Sequence, residues 1–236
     1  MRIIYEDDAL VVIEKPAGLL TIATDKVRDR TAYFMLNEHL RPKRQRVFIV
    51  HRLDRDASGL LVFAKTEQAK RFLQDHWKDF EKTYFAIVEG APEKKSGTIS
   101  SFLRQNKFLK VYSGRRTEDS KFSVTHYKVV QAGFPHSLLE INLETGRKHQ
   151  IRVHLADLGH PIAGDKRYGA KTNPAGRLAL HASRLAFTHP VSGQRMVFES
   201  ELPRTLVDNI KRNVSQKGGH HAKNRRQVAG YRDRRV

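Results

Sequence analysis

The sequence predicts an α+β fold built on a mixed or largely antiparallel sheet. Apolar and alternating runs that suit strands outnumber runs with helical spacing, and the two kinds do not alternate regularly along the chain. The 236 residues suffice for one large domain or two small ones with a sizeable core, and a hydrophobic fraction of 39% suits a globular protein. No internal repeat stands out.

Taken in order, the first strand is expected near 10–14, from the run Leu10-Val11-Val12-Ile13. Lys15-Pro16-Ala17-Gly18 closes it as a turn, since Pro fixes φ and Gly admits a positive φ. A lysine at a strand end is also placed to meet a phosphate. A helix follows at 31–40. Strands are expected near 47–53 and 60–65, from Val47-Phe48-Ile49-Val50 and Leu60-Leu61-Val62-Phe63. Phe72, Leu73, Trp77 and Phe80 recur at three and four residues and predict a helix over 67–80. A strand near 83–89 begins with Tyr84-Phe85, whose side chains point to opposite faces. One belongs to the core and the other is free to line a pocket and stack on a base, and the pattern leaves open which. Strands are expected near 124–131 and 137–143, where Leu139, Ile141 and Leu143 alternate with Glu140 and Asn142. A third helix covers about 148–158, with Ile151, Leu155 and Leu158 on one stripe. The last strand, 178–187, contains His181, and a lone strand histidine reads as a satisfied core group.

Charge narrows the partners. The formal net charge is +19, and the pI is near 10.3. Such a balance calls for a polyanion, with nucleic acid the commonest and an anionic membrane the alternative. Residues 211–236 hold nine Lys or Arg and one acid, Asp233, with almost no apolar periodicity, and read as a disordered basic tail. The body, 1–210, stays basic without it. No apolar stretch approaches the roughly 18 residues needed to span a bilayer. The start, Met1-Arg2-Ile3-Ile4-Tyr5-Glu6-Asp7-Asp8, lacks a signal peptide's apolar centre. The absence of cysteine excludes disulfides, Cys-ligated zinc and thiol catalysis, and fits a cytoplasmic protein.

Two clusters carry chemistry. In His51-Arg52-Leu53-Asp54-Arg55-Asp56-Ala57-Ser58-Gly59 an acid sits between arginines at the junction of two apolar runs. Carboxylates are rarely buried unpaired, so Asp54 is the first candidate for a reacting group. Asp56 is two residues on, across a turn, and does not define a paired-carboxylate site. The second cluster is Thr145-Gly146-Arg147-Lys148-His149-Gln150-Ile151-Arg152-Val153-His154, a strand end followed by a basic helix. Arg147 and Lys148 at a helix start suit phosphate, or else form a solvated basic face. Arg152, beside the apolar Ile151, is placed to point inward. His149 and His154 are five apart, which is poor spacing for two metal ligands on one face, and no metal is expected. Gly159-His160-Pro161-Ile162-Ala163-Gly164-Asp165-Lys166-Arg167-Tyr168-Gly169 reads as an ordered loop. No Ser-His-Asp order, P-loop or dinucleotide glycine fingerprint is present.

Taken together, the chain resembles the RluA-type pseudouridine synthases. The matches run in order through Lys15-Pro16-Ala17-Gly18-Leu19, His51-Arg52-Leu53-Asp54 with Ser58-Gly59-Leu60, Lys82-Thr83-Tyr84 with Ala86-Ile87-Val88, and Gly146 to His154. They continue through Gly159-His160-Pro161-Ile162 with Gly164-Asp165 and Tyr168-Gly169, and end at Leu180-His181-Ala182. The resemblance covers roughly residues 1–205. It implies a bent mixed sheet flanked by helices and loops, with an RNA cleft across the middle. It also implies isomerisation of selected uridines in structured RNA, ribosomal or transfer, by a monomer without cofactor or metal. By resemblance, Asp54 is the catalytic aspartate and Tyr84 packs on the target base. Arg152 partners the carboxylate, Ile151 closes the pocket, and Arg52 enters the space left by the flipped nucleotide. His51, Arg147, Lys148 and Lys15 are expected on the substrate side. A carboxylate can act as nucleophile at C1′ or at C6, or act at the sugar, and the sequence does not decide between these routes. The family has Thr where this chain has Ala57, which removes a turn hydroxyl but no catalytic group. The sequence starts almost directly at the expected catalytic domain, so the basic tail is expected to supply affinity that an N-terminal RNA-binding domain gives many relatives.

Overall fold

The computed structural model describes residues 1–25 and 27–208, and the basic tail falls outside the described residues. One sheet organises them. Its strands are β1 (Arg2–Glu6), β2 (Leu10–Lys15), β3 (Phe48–Ile49), β4 (Ser58–Ala64), β5 (Glu81–Glu89), β6 (Ser96–Gln105), β7 (Val111–Gly114), β8 (Lys121–Gln131), β9 (His136–Leu143), β10 (Leu180–Thr188) and β11 (Arg195–Glu199). The order is β1-β2-β4-β10-β5-β9-β8-β6-β7, with β11 on β10 and β3 on β4. Every pairing is antiparallel except β4 with β10. Helices α1 (Ala32–Leu40), α2 (Glu67–Asp75) and α3 (Gln150–Asp157) pack on this sheet. The α+β expectation therefore holds.

The apolar runs of β2 and β4 are continuous because both faces are covered. Val11, Ile13, Leu61 and Phe63 point to one face, against Leu36 and Leu40 of α1. Leu10, Val12, Leu60 and Val62 point to the other, against Leu73 of α2 and Phe187. Beyond β10, Leu139 and Ile141 share one face of the sheet with Ala86 and one core cluster with Ile151 and Leu155 of α3. Thr31 and Thr66 cap α1 and α2, their hydroxyls accepting from Phe34 N and Ala69 N, both at 3.1 Å.

The helix expected over 67–80 ends at Asp75 and continues as a single 3₁₀ turn, Trp77–Asp79. The tighter turn lets Phe80 stack on Phe187 at 4.9 Å while Trp77 meets His51. Strands β1, β6, β7 and β11 carried no clear signal because each is short or leaves many side chains exposed.

The parallel contact between β4 and β10 pairs Ser58 with His181 and Gly59 with Ala182. Gly59 has φ +115°, and a Cβ there would lie 2.1 Å from the Ala182 carbonyl oxygen. Gly59→Ala is therefore expected to cost about 3 kcal/mol or more, through strain and overpacking together, read as a lowered urea midpoint. His181 is a satisfied core group, as expected: its nitrogens lie 2.9 Å from Ser58 Oγ and 3.1 Å from Ser200 Oγ.

Candidate active site

A cleft of about 740 Å³ opens where the chain passes from β3 into β4. The strand expected over 47–53 shrinks to Phe48–Ile49, and the following residues leave the ladder. Side chains hold them instead. Thr21 Oγ1 accepts from Leu53 N (3.2 Å) and donates to Leu53 O (2.9 Å). His51 Nε2 accepts from Val62 N at 3.2 Å, and Gln74 Nε2 donates to Ile49 O at 3.1 Å. An irregular but tethered backbone is what allows Asp54 to face the cleft with its side chain 23% exposed.

Lys15 does not meet a phosphate here. It is fully buried, and its Nζ lies 3.1, 2.8, 3.0 and 2.7 Å from the carbonyls of Pro16, Leu19, Arg55 and Ala57. One ammonium thus ties the Asp54 loop to the turn after β2. Burial lowers its pKa to about 8 against the charges of Asp56 and Asp54, so it stays an ammonium at neutral pH. Asp56 pairs with its neighbour Arg55 at 2.9 Å.

α3 supplies the facing wall. Arg152 Nη1 donates to Asp54 Oδ2 at 3.1 Å, while its Nε and Nη2 donate to Asp165 at 2.7 and 2.9 Å. Asp165 is 2% exposed, so the fork is fixed from behind by a buried carboxylate. Burial alone would lower the Arg152 pKa, but bonding to Asp165 and the charges of Asp165 and Asp54 raise it above its ordinary value. Ile151 lines the cleft from the first turn of α3, which is anchored through Gln150. That side chain donates to Val124 O and Thr125 Oγ1 and accepts from Arg147 N.

Tyr84 lines the cleft from β5 on the face that carries Ile141, whereas Phe85 points to the opposite face of the sheet with Ile87 and Leu138, which settles the alternative left open by the sequence. Burial, and then the Asp54 charge, raise the Tyr84 pKa, so it stays a neutral phenol. The His51 ring lies 4.5 Å from that of Trp77, tilted by 35°, and burial lowers its pKa to about 3, with the Lys82 charge adding to the effect. Arg52 is exposed at the cleft and makes no hydrogen bond or ion pair among the described residues. Arg147 and Lys148 stand exposed at the mouth, just before α3 begins, with Lys148 Nζ 3.3 Å from Gln105 Oε1.

Of the nine residues singled out from sequence, all but Lys15 line this one cleft. Sequence reasoning missed three that complete it. Asp165 clamps Arg152, Tyr168 lies beneath the Arg152 guanidinium at 5.0 Å, and His149 Nε2 lies 3.9 Å from Asp54 Oδ1. Asp165 and Tyr168 stood in the turn-rich loop after α3, where an acid and an aromatic among glycines were the available signal.

The buried histidines make stability pH-dependent. Burial lowers His51 to about 3, and His149 and His181 to about 4, against an ordinary value of 6.5. Between pH 6.5 and about 4 the unfolded chain binds protons that the folded protein refuses, so stability falls as pH falls through that window. Urea midpoints are expected to change little between pH 7 and about 8 and to drop steeply from pH 6.5 to 4.

The solved structure of Human RNA Pseudouridylate Synthase Domain Containing 4 shares this fold with a TM-score of 0.74 and 25% identity, over 90% of this chain and 93% of that one. Human RNA Pseudouridylate Synthase Domain Containing 1 follows at 0.67 and 26%, over 85% and 82%. The fold is that of RNA pseudouridylate synthases. The RNA pseudouridylate synthase family model matches residues 9–157. The uncharacterized RNA pseudouridine synthase YhcT of Bacillus subtilis is 38% identical over 212 residues, 87% of this chain and 70% of its own. Ribosomal large subunit pseudouridine synthase D of Zymomonas mobilis is 37% identical over 227 residues, again 87% and 70%. The chain belongs to the RluA-type RNA pseudouridylate synthases.

Proposed function

We propose that this pseudouridine synthase acts on specific uridines of structured RNA, ribosomal RNA first, with Asp54 as the reacting carboxylate. The observation that carries the reading is the Arg152–Asp54 contact of 3.1 Å, held in a cleft by a second, buried ion pair. Substrate and product are isomers: N1–C1′ breaks, the uracil turns, C5–C1′ forms, C5 gives up its proton and N1 regains one. The balance needs no oxidant or co-reactant. Arg152 orients Asp54, Tyr84 offers a neutral aromatic floor, and Ile151 closes the pocket over the base. The target must leave its stack at a cost of a few kcal/mol, and the unpaired Arg52 is placed to fill the gap and offset part of it. Arg147 and Lys148 meet the backbone phosphates at the mouth. The relative named for the ribosomal large subunit favours ribosomal over transfer RNA. We take the protein to work as a cytoplasmic monomer; no helix among the described residues is long and apolar enough to cross a membrane.

Mapping pseudouridine across total RNA from cells with and without the gene tests the substrate. Loss of one or a few ribosomal sites is expected. Loss confined to transfer RNA would overturn the ribosomal reading, and an unchanged map would overturn the activity on both RNAs.

A further inference from the structure

His149 stands immediately before α3 with φ 54°, a conformation uncommon for a residue with a side chain. The Gln150 bonds described above hold the backbone there, and the ring is carried into the cleft. Its Nδ1 lies 2.7 Å from the Tyr168 hydroxyl, and the two rings meet edge-on at 85°. The same hydroxyl accepts a hydrogen bond from Val111 N at 3.2 Å. Its single proton therefore has one use among the described residues, donation to Nδ1. A neutral imidazole that accepts at Nδ1 carries its proton on Nε2, and Nε2 is the nitrogen 3.9 Å from Asp54 Oδ1. Tyr168 meanwhile lies 5.0 Å beneath the guanidinium that holds the other carboxylate oxygen. One tyrosine thus contacts both groups that face Asp54.

We propose that His149 is a positioning residue for the reaction: held as the neutral Nε2–H tautomer by Tyr168, it donates to Asp54 Oδ1 while Arg152 holds Oδ2. The separation seen here shortens to a hydrogen bond when the nucleotide closes the cleft, as such contacts commonly do. Two fixed donors leave the carboxylate one orientation, so a defined lone pair meets the reacting carbon. Burial, reinforced by the charges of Arg152, Lys148 and Arg167 and opposed only by Asp54, keeps the imidazole uncharged at neutral pH. A neutral donor orients the carboxylate without the added charge stabilisation that would blunt it. The inference rests on Asp54 being the reacting group.

The test combines a spectroscopic and a kinetic reading on the full chain. In ¹⁵N-imidazole NMR spectra, assigned by the signals missing from His149→Gln, His149 is expected to show an unprotonated Nδ1 and a protonated Nε2. Tyr168→Phe should convert this to a mixture of tautomers. In single-turnover assays at saturating ribosomal RNA, His149→Ala is expected to lose about 10²-fold and Tyr168→Phe about tenfold, with RNA affinity changed less than twofold. His149→Gln should recover part of the loss, since its amide can donate from near the Nε2 position. A wild-type Nδ1–H tautomer would overturn the proposal even if Tyr168→Phe fails to fold. So would unchanged rates in folded His149→Ala beside an inactive Asp54→Asn. An active Asp54→Asn would instead overturn the reading on which the inference rests.

Discussion

Asp54→Asn is expected to lower pseudouridine formation by at least about 10³-fold while leaving the fold and RNA affinity nearly intact. The amide has the carboxylate's shape but neither its charge nor its nucleophilicity. Little else depends on Asp54. Its side chain is partly exposed, and Arg152 keeps the bidentate bond to Asp165 without it. Arg52, Arg147 and Lys148, the cations we assign to RNA, make no ion pair with Asp54. A gel-shift titration beside a product assay separates the two effects.

The second large effect falls on Arg152 and Asp165. Arg152→Met leaves the Asp165 carboxylate buried without its cation, and Asp165→Asn leaves a buried guanidinium with its clamp weakened. Breaking a buried pair from one side costs about 3–5 kcal/mol, so both variants should unfold at markedly lower urea concentration and lose activity. The double variant Arg152→Met, Asp165→Leu separates structure from chemistry. Removing both charges restores much of the stability, because no buried charge is left unpaired. Activity should not return, because Asp54 then lacks its guanidinium partner and His149 alone faces the carboxylate. A double variant with recovered turnover would show that Arg152 serves only the fold.

Periodicity made the central strands legible because both their faces are buried, as in Leu60–Phe63 between α1 and α2. It failed at the edges. β6, which begins Ser96-Gly97-Thr98-Ile99-Ser100-Ser101, shows many of its side chains to solvent and has no apolar alternation to read. It also failed where side chains replace the ladder, since nothing local says that Thr21 will hold Leu53. In the site, Asp54, Tyr84, Ile151 and Arg152 were legible because their motif blocks are collinear with a family pattern. Lys15 was misread because a lysine caged by four carbonyls and a lysine facing a phosphate look alike in sequence. Asp165, Tyr168 and His149 were passed over because each acts through a neighbour brought in by the fold.

Release of tritium from [5-³H]uridine in ribosomal RNA tests the account most directly. C5 must lose its hydrogen when it bonds to C1′, so each isomerised uridine releases one tritium to water. Wild-type protein is expected to release tritium in proportion to the pseudouridine found on digestion, with no free uracil, and Asp54→Asn to release none. Free uracil, or equal release by Asp54→Asn, would contradict it.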